Sequence, residues 1–168
     1  LALKNLGTNY KGFLYAGLMI VKDEPYLIEY NVRMGDPECQ TILPKFKNKL
    51  TEVLLACCNQ TLDKIDFVWS DKKSICIVMC SKGYPEEFKK NIFIKNIDTF
   101  RINEDEYLFH AGTEKKNEKI YATGGRVLNF VSIAEDFNIA KKNTINNLEK
   151  LDWSGGFYRK DIGYKVLD

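Results

Sequence analysis

Glu29, Asn31 and Arg33 occupy every second position of residues 27–33, and Ile28, Tyr30 and Val32 fill the positions between them. A strand's period of two puts the three polar side chains on one face and the apolar ones on the other. A carboxylate and an amide carbonyl so spaced suit a hard divalent cation such as Mg2+, which takes one or two carboxylates together with substrate phosphates. Arg33, next along the face, offers a planar fork to a phosphoryl oxygen. The chain then turns at Gly35 and presents Asp36 as an N-cap, Pro37 at the first helical position and Glu38 in the first turn. A helix N-terminus there directs backbone N–H groups at an anion. These residues read as a metal and phosphate site at a strand-to-helix junction. The same pattern also describes a half-solvated strand leading into a helix that binds nothing.

The elements that must position this face follow from the flanking sequence. Residues 12–20 are aromatic and aliphatic, and Lys22-Asp23-Glu24-Pro25 forms a polar turn, so an antiparallel hairpin is expected. Gly12 and Gly17 on the partner strand either admit a close backbone or ligand approach or bend an edge strand. Beyond the cap, Pro44 ends a short helix. A second helix starts near Asn48, its cap, with Leu50, Val53, Leu54, Cys57 and Cys58 as a core-facing stripe.

Residues 59–73 are polar and mark a domain boundary, dividing the chain into 1–60 and 61–168. Residues 74–80 read as a buried strand and 82–85 as a turn. Short strands around 92–97, 107–111, 120–123 and 126–132, separated by polar turns such as 103–105 and 114–117, predict an antiparallel sheet. Residues 136–151 form a helix whose Phe137, Ala140, Thr144, Ile145 and Leu148 pack on it. The fold class is α+β, with helices to one side of the sheet. Here Gly124-Gly125-Arg126 offers N–H groups and a guanidinium to a phosphate. Arg159-Lys160-Asp161 either lines the same cleft or is a solvated charge run. His110, the one histidine, reads as structural.

With 168 residues, 45% hydrophobic and 29% charged, the composition is that of an ordinary globular protein. A net charge of +2 and scattered aromatic residues argue against nucleic acid. No apolar run is long enough to span a bilayer, so the expectation is a cytoplasmic protein without a membrane partner. The five cysteines show neither a disulfide framework nor zinc-ligand spacing.

The run Glu29-Tyr-Asn-Val-Arg-Met-Gly-Asp-Pro-Glu-Cys-Gln40 resembles the signature of the phosphoribosylamine–glycine ligases, also called glycinamide ribonucleotide synthetases, which are ATP-grasp enzymes. Gly12–Met19 matches the preceding strand of that family. Four later blocks follow in the family's order: Gly83-Tyr84-Pro85, residues 109–113, Gly124–Leu128 and Arg159–Gly163. Two positions depart from it, Lys49 where Asp is usual and Glu86 where Gly follows the proline. The resemblance implies that 1–60 is the end of an ATP-grasp domain and 61–168 a small antiparallel-sheet-plus-helix C-terminal domain. With Leu1 rather than Met first, the chain reads as a C-terminal fragment whose N-terminal part, with the adenine pocket, is missing and is its own partner.

The implied activity is purine-biosynthetic ligation of glycine to 5-phosphoribosylamine, driven by ATP through glycyl phosphate. Mg2+ or Mn2+ would sit on Glu29 and Asn31. Arg33 and Asp36 would act on the transferring phosphoryl group, with Gly35 and Pro37 binding beside them. Gly125, Arg126 and Arg159 would hold substrate, Arg126 the ribose phosphate. Two alternatives stand: another ATP-grasp carboxylate–amine ligase, or a non-catalytic nucleotide-binding or scaffolding fragment.

Overall fold

Arg126–Ala134 is a nine-residue strand in which every residue after Arg126 is buried, and half of the chain is organised around it. A run apolar enough to be covered on both faces must lie between other strands. In the computed structural model, which describes residues 2–8 and 10–167, it does. The elements are α1 (Ala2–Asn5), β1 (Tyr15–Val21), β2 (Glu24–Asn31), α2 (Glu38–Ile42), α3 (Leu50–Asn59), β3 (Lys73–Ser81), β4 (Ile92–Phe93), β5 (Glu106–His110), β6 (Thr113–Lys116), β7 (Lys119–Ala122), β8 (Arg126–Ala134), α4 (Phe137–Lys150) and β9 (Gly156–Phe157). The architecture is α+β, and contacts group the chain into two units: residues 1–39 with 46–70, and 40–45 with 71–168. Residues 61–70 therefore group with the first unit. Leu1 and Asp168, the outer limits of the expected domains, lie outside the described residues.

In the second unit β8 is flanked by β5 and β3, and β9 adds to β3, all antiparallel in the order β5-β8-β3-β9. Helix α4 packs on β3 and β8, closing a core that includes Ile77, Leu128, Phe130, Ala140 and Leu148. Asp136 caps this helix, its Oδ1 accepting from the Ile139 N–H at 2.8 Å. Asn147, which the apolar pattern does not mark, is also buried on the inner face of α4.

A second sheet, β4-β7-β6, was not separated from the first by the sequence. Residues 114–116, expected as part of a polar turn, lie in β6, and the turn is only Asn117-Glu118, with φ of 48° and 61°. Lysine-rich residues are tolerated because β6 is an edge strand. Of residues 92–97, only Ile92 and Phe93 are strand; a 3-10 turn begins at Ile97.

The first unit holds the β1–β2 hairpin, a separate two-stranded sheet. Its turn is Lys22-Asp23, with φ of 52° and 64°, closed by the Val21–Glu24 pair. Left-handed geometry at both central residues matches the right-handed twist of the strands, so the turn is shorter than the expected four residues. Pro25 consequently lies in β2, opposite Ile20. A register shift between Gly17 and Leu18 leaves Ile28 as the extra residue of a bulge. The apolar side chains of the hairpin, among them Leu18, Ile20, Leu27 and Ile28, are exposed.

Helix α2 is short, as expected, and yields to a 3-10 turn at Leu43–Lys45 that contains Pro44. The stripe of α3 differs from expectation. Ala56 is its buried residue and Val53 and Cys57 are half-buried, whereas Leu50, Leu54 and Cys58 are exposed. The inward face is thus turned by about one residue, or 100°. Asn48 does not cap α3. Its amide instead donates to the Asp66 carbonyl at 2.9 Å and accepts from the Val68 N–H at 2.7 Å, while Lys49 holds the cap position without a side-chain bond. Phe46 packs on Trp69 with ring centroids 4.7 Å apart and planes tilted by 46°, and a β-bridge joins the two, which ties 65–70 to the same unit.

Candidate functional site

Cross-strand pairing places Tyr15 opposite Asn31 and Gly17 opposite Glu29. Directly opposed residues share a face of the sheet, so these four lie together. The Asn31 Nδ2 donates to Glu29 Oε1 at 2.9 Å, which joins the two expected metal ligands side by side. Gly17 makes room for them, because a Cβ there would stand 3.1 Å from Glu29 Cγ. From β1 the Tyr15 hydroxyl donates to Glu38 Oε1 at 3.3 Å. The Glu38 charge, then burial and the bond itself, hold the Tyr15 phenol above its usual pKa, with a smaller contribution from Glu29. Glu38 in turn folds back over Gly35, where an added Cβ would meet Glu38 Oε2 at 2.2 Å. Tyr15 and Glu38 therefore belong to the face, although sequence spacing did not assign Tyr15 and gave Glu38 only to a helix turn. The hairpin register, once known, is the signal that finds Tyr15.

The strand ends at Asn31, two residues short of expectation, so Arg33 lies in a bend beyond it and does not continue the alternation. Its guanidinium Nη1 donates to the Met34 carbonyl at 3.2 Å and is exposed. Asp36 and Pro37 are joined by a cis peptide bond, and the helix proper opens at Glu38. Pro37 thus precedes the helix where the sequence suggested its first position. The Cys39 N–H already bonds to the Gly35 carbonyl at 2.9 Å.

Among the described residues no group of three or more His, Cys, Asp or Glu side chains could enclose a metal. One carboxylate beside one amide fits a hard cation whose remaining ligands come from phosphates and water, and does not fit zinc.

In the second unit, Gly112 and Gly124 mark a crossing of two segments. A Cβ on Gly112 would lie 2.5 Å from Gly124 Cα and 2.6 Å from the Arg126 carbonyl. The Gly124 N–H bonds to the Gly112 carbonyl at 3.1 Å, so one N–H of the expected phosphate grip is already engaged. At Gly125 the Tyr84 ring lies close, 2.2 Å from where a Cβ would be. Arg126 opens β8 and is exposed. Arg159 forms a two-pronged pair with Asp161, at 3.0 and 2.6 Å, and this bond holds the Asp161 carboxyl below its usual range. An anion at Arg159 must compete with that carboxylate. His110 Nδ1 bonds to Thr113 Oγ1 at 2.9 Å across a tight turn, a structural arrangement. Among the described residues no disulfide joins the five cysteines.

Comparison with known proteins gives this geometry a family. The model of the phosphoribosylglycinamide synthetase C domain matches residues 74–165, and that of the ATP-grasp (A) domain of the same enzyme matches residues 1–39. The chain belongs to the phosphoribosylglycinamide synthetase family. It is 40% identical over 161 residues to the phosphoribosylamine–glycine ligase of Caldanaerobacter subterraneus, covering 96% of this chain and 38% of that protein. A similar match, 40% over 165 residues, covers 96% of this chain and 31% of an Arabidopsis thaliana relative whose name specifies the chloroplast. The crystal structure of the phosphoribosylamine–glycine ligase of Thermotoga maritima superposes with a TM-score of 0.75 at 29% identity, over 95% of this chain and 39% of that one. The chain thus spans less than two fifths of the length of these relatives. Both ends of this phosphoribosylglycinamide synthetase segment carry the family's pattern: Glu29, Asn31 and Glu38 fall within the ATP-grasp match, and Gly125, Arg126 and Arg159 within the C-domain match.

Proposed function

We propose that the chain is the C-terminal part of an ATP-dependent carbon–nitrogen ligase that joins glycine to 5-phosphoribosylamine in purine biosynthesis. Residues 1–60 complete its ATP-grasp domain and 61–168 form its C-terminal domain, while the preceding part of the polypeptide supplies the rest of the nucleotide pocket. The observation that carries this reading is the Asn31–Glu29 pair, hydrogen-bonded at 2.9 Å on one face of a hairpin inside the ATP-grasp match. Relatives named phosphoribosylamine–glycine ligase support the substrates.

Glu29 and Asn31 would hold Mg2+ or Mn2+, which when bound neutralises charge on the phosphates of ATP. The Asn31 Nδ2 faces Glu29 Oε1 at 2.9 Å, so the amide would turn its Oδ1 toward a cation that the phosphates share. Arg33 is exposed in the bend beyond them and would bind a phosphoryl oxygen once it leaves the Met34 carbonyl. Gly35, Asp36 and Pro37 shape the bend that receives the transferred group, and Asp36 orients it. Tyr15 keeps its proton and fixes Glu38, so the carboxylate does not stray toward the cation. Arg126 takes the ribose phosphate, with the Gly125 backbone next to it packed under the Tyr84 ring and Arg159 joining after exchange of its Asp161 partner. Among the described residues no helix is long and apolar enough to cross a membrane, and a cytoplasmic location is part of the same proposal.

The test is glycine-dependent ADP formation by the intact parent enzyme, with and without 5-phosphoribosylamine. ADP release that requires both, with glycinamide ribonucleotide as product, is expected. Turnover with a different carboxylate and amine would assign another ATP-grasp ligase, and no stimulation by either substrate would leave a binding module.

A further inference from the structure

We propose that the second unit carries a binding site for an organic phosphate, independent of the Glu29–Asn31 face and of the ligase reading. The site is a cavity of about 640 Å³ whose walls include Lys82, Glu87, Phe88, Lys89, Ile92 and Gly155. That volume is in the range of small-molecule sites. Two lysines and one glutamate line it, and neither lysine is ion-paired among the described residues. The net charge of the walls therefore favours an anion.

The floor is closely packed. The Lys82 N–H bonds to the Gly155 carbonyl at 2.9 Å, which ties the loop after β3 to the segment before β9. Under Gly155 lies Trp153, only 5% exposed, and its indole Nε1 is buried without a hydrogen-bond partner. A Cβ on Gly155 would stand 2.8 Å from that nitrogen and 3.0 Å from Ile92 Cγ2. Gly156 lies on the same ring, 2.4 Å from Cε3 by the same measure. The absence of side chains at both glycines brings the positive end of an unsatisfied N–H dipole beneath a cavity that already carries two cations. An unpaired donor so deeply buried is uncommon and calls for a reason.

The chemistry selects a phosphate attached to an apolar or planar body. Lysine binds phosphate as a point charge, and two line this cavity. The Phe88 ring and Ile92 offer a wall to a base or alkyl group, and Glu87 accepts from hydroxyl groups.

AMP serves as the probe and Trp153 as the reporter, in nitrogen-15 spectra of the whole chain. There are two tryptophans, so Trp69→Phe assigns the two indole resonances. AMP is expected to move the Trp153 resonance saturably, and adenosine to leave it in place. Inorganic phosphate is expected to bind more weakly than AMP. Lys82→Met with Lys89→Met is expected to weaken AMP binding at least about tenfold, from loss of two charged contacts. An unchanged Trp153 resonance in the ligand-free double variant checks that the unit still folds. No saturable movement, an equal response to adenosine, equal affinity for inorganic phosphate, or undiminished AMP binding by the double variant would each overturn the proposal.

Discussion

Tyr15 donates from one strand of the hairpin to Glu38, the first residue of α2, at 3.3 Å, and through this bond the face bearing Glu29 and Asn31 acquires a second carboxylate. The Tyr15 phenol is raised chiefly by the Glu38 charge. A raised folded-state pKa stabilises below the unfolded value near 10.0 and is lost as pH climbs through the folded value. Glu38→Gln is therefore expected to bring the Tyr15 titration down toward 10.0, read as phenolate absorbance against a Tyr15→Phe control. An unmoved titration would show that Glu38 does not govern this phenol.

Glu29→Gln removes the charge of the expected cation ligand while keeping its shape. In the intact parent enzyme turnover should fall at least about tenfold. Steady-state rates across a Mg2+ series check this, and near wild-type rates at every concentration would take Glu29 out of the metal site.

Gly112→Ala should destabilise the second unit by about 2–3 kcal/mol, because the new Cβ meets backbone atoms that cannot rotate away. Gly7→Ala, with φ of 73° but nothing within 4 Å, should cost only about 1 kcal/mol from backbone strain. Urea titration of each variant gives the comparison.

Asn129 lies at the middle of β8 between Val78 and Phe109, fully buried, with neither amide atom bonded to protein. Asn129→Leu keeps the branching of the side chain and removes the unsatisfied groups, so a gain of about 1–3 kcal/mol, less the crowding cost of the larger methyl groups, is expected in the same titration. A loss would show that an enclosed water satisfies the amide.

Asp136→Ala should cost about 1 kcal/mol, since its Oδ1 accepts the Ile139 N–H at the start of α4. Asp136→Asn should retain most of that stability.

These sites differ in how far the sequence discloses them. The shared face of Glu29 and Asn31 follows from a period of two alone, and the Asp136 cap and the continuous apolar run of β8 are equally local signals. The register that brings Tyr15 to Asn31 is not local. It depends on a two-residue turn built from Lys22 and Asp23, which lack the glycine that advertises such turns, and on a bulge at Ile28. Pro25 reads as turn material yet lies within a strand that has a single partner. Strand β6 is concealed by Lys115 and Lys116, because an edge strand answers to solvent on its open side. The inward face of α3 is set by Ala56, whose small side chain carries little weight in an apolar pattern, while the larger Leu54 and Leu55 are exposed.

The β1–β2 ribbon also dictates how this polypeptide behaves as a colloid. It carries Leu18, Met19, Ile20, Leu27 and Ile28 exposed on only two strands, and among the described residues no further strand pairs with either outer edge. Such a ribbon is a template for adding further strands, whether from a neighbouring molecule or from its own kind. Taken apart from the rest of an ATP-grasp domain, residues 1–168 should self-associate through this edge at high concentration, and Ile20→Lys should suppress it.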